Sequence, residues 1–119
     1  MVSPTREDAM KKPTFSIINP DNINDPTCRK GVIKARYADL IATFGRPSNN
    51  NGYKTQAEWW VRFEDGVIAS IYDYKFEGVS LEQNTDWHVG GHIRDRAAQA
   101  VHNVLKVLGK KAKLTDIES

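Results

Sequence analysis

The rhythm of apolar and polar residues changes along this chain, and each change predicts an element. Gly31 to Arg36 alternates and reads as a first strand. Tyr37, Leu40, Ile41 and Phe44 then fall at helical spacing, Gly45 takes the left-handed stop position and Pro47 forbids continuation. The spacing predicts a helix over 37–44. Asn and Gly tolerate positive φ, so Ser48–Gly52 reads as a loop. Residues 76–85 form another loop, and Thr85–Val89 reads as a short strand ending at Gly90-Gly91. From His92 the period becomes helical. Ile93, Ala97, Ala100, Val101, Val104, Leu105 and Leu108 line one stripe up to Gly109, which predicts a helix of about 16 residues packed on a sheet. The tail KKAKLTDIES is charged and is expected to fray.

The strongest pattern lies between Tyr53 and Lys75, where AEWWVRF and VIASIYDYK flank Glu64-Asp65-Gly66. A two-residue Asp-Gly turn would pair Phe63 with Ile68 and leave two mixed faces. A three-residue loop with Gly66 left-handed pairs Phe63 with Val67, Val61 with Ala69 and Trp59 with Ile71. That register gives one wholly apolar face, so burial selects it. The opposite face then carries Glu58, Trp60, Arg62, Ile68, Ser70, Tyr72 and Tyr74. Such an aromatic face is either covered by a second layer or a partner subunit, or it binds something.

Four of the five prolines lie in the first 28 residues, which read as an irregular arm before one domain over 29–119. Within the arm, Thr14–Ile18 can pair as an edge strand, dock on a neighbouring subunit or stay a flexible tail. The chain has 119 residues, with 39% hydrophobic and 27% charged positions. It lacks both a signal-peptide stretch and the ~18-residue apolar run of a membrane span, so a soluble protein with no membrane partner is expected. A net charge of +2 argues against general nucleic-acid binding.

A single cysteine, Cys28, excludes an internal disulfide framework, and nothing is spaced to activate it. His92 and His102 would stand about 15 Å apart on the predicted helix, too far to share a metal. His88 and His92 could approach across the Gly-Gly turn, but no third ligand is evident. The expectation is no metal, no cofactor and no catalysis. Binding is better supported. Trp60, Tyr72, Tyr74 and Trp87 offer rings to stack on a nucleobase. Arg62, Arg94 and Arg96 offer guanidinium groups to clamp phosphate. Gly90 and Gly91, placed before the long helix, could present backbone N–H groups to an anion. Alternatively, the two glycines only allow a tight turn, and Arg94 and Arg96 pair with Asp95, Glu118 or another subunit. His88 completes the candidate set. A small anionic nucleotide fits this balance better than a polymer.

The segment GYKTQAEWWVRFEDGVIASIYDYK, followed by TDWHVGG and a closing helix, resembles a set of small phage-encoded proteins. They share the pattern GYKTxAEWxVxFxDGxxAxIYxYK…TxWHxGG. The likeness extends over residues 31–108 and is similar to the Thoeris anti-defence sponges, which sequester cyclic nucleotide signals of bacterial immunity. The resemblance implies an oligomeric α+β protein in the host bacterial cytoplasm. It would bind a cyclic ADP-ribose isomer or a cyclic oligonucleotide without hydrolysing it. The fold expected from the residues themselves is also α+β: a small antiparallel β-sheet with a central hairpin, one short helix and a long C-terminal helix, assembled as a homo-oligomer. The alternative function is inhibition of a host defence protein, such as a CRISPR component, through the exposed aromatic face.

Overall fold

Strict alternation around Glu64-Asp65-Gly66 builds the hairpin from which the sheet extends. The structure, a computed structural model, describes residues 13–19, 27–49, 57–73, 82–95 and 98–117. Its elements are β1 (Phe15–Ile17), β2 (Thr27–Ala35), α1 (Tyr37–Phe44), β3 (Ser48–Asn49), β4 (Ala57–Phe63), β5 (Ile68–Tyr72), β6 (Asp86–His92), α2 (Gln99–Leu108) and β7 (Ala112–Ile117). A 3₁₀ turn, Gly109–Lys111, joins α2 to β7. The sheet order is β1-β4-β5-β6-β2-β7, with the two-residue β3 also on β4, and every pairing is antiparallel.

Trp59 pairs with Ile71 and Val61 with Ala69, and Phe63 N–H donates to the Val67 carbonyl at 2.8 Å. This is the three-residue register, closed by Gly66 at φ +87°. Ala57, Trp59, Val61, Phe63, Ala69 and Ile71 are all buried as a consequence. Ile33, Ala35, Trp87 and Val89 continue the same face across β2 and β6. Both helices pack there: α1 through Leu40 and Phe44, α2 through Ala100, Val101, Val104, Val107 and Leu108. The fold is therefore α+β, two layers with the helices on one side.

Helix α1 spans the residues expected, and Gly45 ends it at φ +86°, its N–H on the Ile41 carbonyl. Of the alternatives for 14–18, the edge strand forms, with Phe15 opposite Phe63 and its ring 5.1 Å from that of Phe44. Strand β2 starts at Thr27, ahead of the expected Gly31, because Thr27–Arg29 pair with Gly90–His92. Part of the expected Asn-rich loop, Ser48–Asn49, pairs with Ala57 and Glu58.

Two expectations fail. The C-terminal helix has 10 residues, not about 16, and begins at Gln99. Its expected first turn is spent on β6 and a following turn, where Ile93 is 53% exposed rather than on the apolar stripe. The tail expected to fray forms β7, which pairs with β2 from Gly31 to Ala35. Among the described residues, no helix is long and apolar enough to cross a membrane.

Candidate functional site

The face of the sheet opposite the helices takes every second residue of its strands. On β4 these are Glu58, Trp60 and Arg62; on β5, Ile68, Ser70 and Tyr72. Strand β6 adds His88 and Gly90, and β2 adds Arg29, Val32 and Lys34. Register arranges them in rows across the strands. One row runs Trp60, Ser70, Gly90, Arg29; the next runs Glu58, Tyr72, His88, Val32 and ends at Asp116 on β7. Trp60, Tyr72 and His88 are half-buried, so their rings are partly accessible.

Gly90 shapes this surface. A Cβ there would lie 2.5 Å from Ser70 Oγ and 3.6 Å from Tyr72 Cε1, so the absent side chain lets both neighbours lean over the strand. Tyr72 and His88 then sit with ring centroids 5.4 Å apart, tilted by 46°. Trp60 Nε1 donates to Glu58 Oε2 at 2.6 Å, which fixes the indole on the same surface. Partial burial, then the Arg29 guanidinium, holds His88 below the usual histidine range, against an opposing pull from Asp86. Arg29 also approaches Asp116 at 3.9 Å. The result is an aromatic shelf with cations at its margin and, within it, an imidazole whose protonation is disfavoured.

Several expected site residues are elsewhere. Trp87 is fully buried on the helix side, stacked on Tyr37 at 5.9 Å and edge-on to Trp59 at 5.5 Å. Its Nε1 donates to the Ala35 carbonyl at 3.0 Å, so it cannot stack on a ligand. The sequence reading set it among the stacking rings, although its place two residues before Val89, on the same strand face, could have assigned it to the core. Gly90 and Gly91 are strand residues rather than the approach to a helix. Gly91 faces α2, where a Cβ would come within 3.0 Å of Ala100 Cβ. Its function is close helix–sheet packing.

The anion site expected at the helix start is occupied by the protein itself. Asp95 Oδ1 accepts from Gln99 N–H at 2.8 Å and Oδ2 from Ala100 N–H at 2.9 Å. This carboxylate satisfies the positive end of α2, so the N–H groups of Gln99 and Ala100 are not open to a phosphate. Arg94 is exposed in the preceding turn, where its N–H donates to His92 Nδ1 at 3.0 Å. His88 and His92 do not converge across a turn, because four residues of extended strand separate them by about 13 Å. Tyr74 and Arg96 lie outside the described residues.

Sequence reasoning missed two features. Arg29 was assigned to the boundary of the arm, yet pairing with Gly90 sets it beside the shelf. Lys34, Arg36, Lys110, Lys111 and Lys113 line one cleft at the far end of β2 and β7. Those residues lie in separate segments, and only the unpredicted β7 unites them. Comparison with protein-family models, with curated proteins and with solved structures finds no match.

Proposed function

We propose that this protein is a non-catalytic binder of a small anionic nucleotide, held on the open sheet face. The observation that carries the reading is the shelf of Trp60, Tyr72 and His88 around Gly90. The other two tryptophans, Trp59 and Trp87, are sealed in the core, whereas this set keeps ring surface accessible on the face without helices. Aromatic faces accept any base by stacking, typically for about 1–3 kcal/mol per base. Arg29 and Arg62 on the same face supply cations for a phosphate. The resemblance to the Thoeris sponges makes the role one of sequestering a cyclic nucleotide signal of a host immune system.

The test is to incubate the purified protein with cyclic ADP-ribose isomers and cyclic dinucleotides, remove unbound ligand, heat, and analyse the supernatant by mass spectrometry. Intact ligand released from the wild type and lost in Trp60→Ala supports the sponge. Chemically altered ligand makes the protein an enzyme. No ligand at all, with a folded protein, transfers the aromatic face to a protein partner.

A further inference from the structure

The cleft at the end of β2 and β7 has a volume of about 460 Å³, and its lining includes Lys34, Arg36, Lys110, Lys111 and Lys113. Among the described residues, Asp39 is the one carboxylate in that lining. Counted over the described residues, five cations against one carboxylate give a formal +4 at this place, in a chain whose total is +2. Three separate pieces of fold build the concentration. Gly109, at φ +61°, ends α2 and turns the chain into the 3₁₀ segment carrying Lys110 and Lys111. Strand β7 then places Lys113 directly across from Lys34, with Ala112 across from Ala35. Arg36 follows at the end of β2, its Nε on Asp39 Oδ2 at 3.1 Å.

Lys34 has a like charge across from it on β7, Lys113, and an opposite one across from it on β6, Asp86. Like charges directly opposite each other on paired strands repel. Among the described residues, no carboxylate forms an ion pair with any of the four lysines, including Asp86, which lies across from Lys34 on β6. Lys110 and Lys111 have a structural justification, since cations favour a helix C-terminus. Lys34, Lys113 and Arg36 have none of that kind. Ala35 and Ala112, paired across β2 and β7, also line the cleft.

We propose that this cleft is a binding site for a compact oligophosphate group. Several ammonium groups and the terminal nitrogens of one guanidinium, left by the Asp39 contact, would share its charges. A concave site with this local charge, in a chain of low total charge, suits a short polyanion better than an extended nucleic-acid backbone. The proposal stands independently of the aromatic shelf, because its ligand needs no base.

Isothermal titration with inorganic tripolyphosphate at 50 and 200 mM salt tests it. Wild-type protein should bind, more weakly at the higher salt. Lys110→Gln/Lys111→Gln/Lys113→Gln should weaken binding at least tenfold, and so should Lys34→Gln/Arg36→Gln from the other segment. Lys106→Gln, an exposed lysine of α2 outside the cleft, should change affinity less than twofold. All the substituted positions are exposed, so the variants should keep cooperative thermal melts, shifted only slightly by the loss of the Lys34–Lys113 repulsion and the Arg36–Asp39 pair. No heat of binding in the wild type overturns the site. Equal affinity in either multiple variant also overturns it. Tighter binding of a single-stranded oligonucleotide, weakened by the same substitutions, would make the cleft part of a nucleic-acid surface and overturn the oligophosphate assignment. Triphosphate binding without release of any cyclic nucleotide would retain the cleft and discard the shelf reading; the reverse pattern would do the opposite.

Discussion

Val61 is fully buried under the helices, while Trp60, one residue earlier, is half-buried on the other face of the same strand. The pair separates folding from binding. Val61→Asp places an unpaired charge in the core, which costs several kcal/mol against a total stability of about 5–15 kcal/mol. It should give an unfolded protein by circular dichroism. Trp60→Ala should keep a cooperative melt, because the ring is only half-buried and its loss costs less than the roughly 3–5 kcal/mol of truncating a core tryptophan. The reverse ranking in thermal melts would refute the assignment of the two faces. His88 gives a prediction in pH. Partial burial and Arg29 lower its folded pKa, so below the unfolded value of about 6.5 the unfolded chain takes up a proton that the folded chain resists. Stability from this group is complete above pH 6.5 and declines as pH falls through that value. In urea titrations from pH 8 to 5, wild type should lose more stability than His88→Gln over this window. Parallel curves for the two proteins would remove His88 as the cause.

At the scale of elements, α2 shows what local pattern can and cannot specify. Its start depends on Asp95, whose two oxygens take the N–H groups of Gln99 and Ala100. Asp95→Ala should cost about 0.5–2 kcal/mol, the usual range for a lost helix cap, with the loss read from the urea midpoint. An unchanged midpoint would mean that solvent satisfies those groups equally well. The β4–β5 hairpin and α1 were legible in the sequence because their determinants are local: an alternating pattern around Gly66, and a helical stripe stopped by Gly45. The stripe from Ile93 to Leu108 misled over its first turn. Ile93 and Ala97 fit a helical period, yet Thr27–Arg29 claim Gly90–His92 for the sheet. That competition is settled by residues more than sixty positions away. Strand β7 was hidden for the same reason: Thr115 Oγ1 donates to the Val32 carbonyl at 2.8 Å across 83 residues, and the charged side chains of this segment mask its pairing. The shelf was partly legible, since Trp60, Arg62 and Tyr72 follow from the hairpin register alone. Trp87 could have been excluded by its alternation with Val89. The lysine cleft could not be read, because its strands meet only in the folded chain.

Among the described residues the path of the sheet ends on β1 and β7, with the two-residue β3 also on β4, and both margins carry exposed apolar side chains. Ile17 is 55% exposed on β1; Leu114 and Ile117 are 43% and 37% exposed on β7. Exposed edges of this kind invite another strand, and proteins usually blunt them with charge or brevity. Strand β1 is short, with three residues, but β7 has six. Lys113 and Asp116 charge the open-face side of β7, whereas Leu114 and Ile117 pair with Ile33 and Gly31 on the helix side and leave that side apolar. A second copy meeting β7 edge to edge would pair its free backbone groups and cover both side chains, in a closed twofold arrangement. Sedimentation at micromolar concentration should therefore give at least a dimer of the 13.4 kDa chain. Leu114→Lys/Ile117→Lys should shift the protein to monomer with its melt preserved, while Ile17→Lys should not. Dissociation by Ile17→Lys alone would move the contact to the β1 edge. Dissociation by Trp60→Ala would instead bury the aromatic shelf between subunits, leaving it no room for a nucleotide. A wild-type monomer would leave β7 solvated and the whole open face available to a ligand or a host protein.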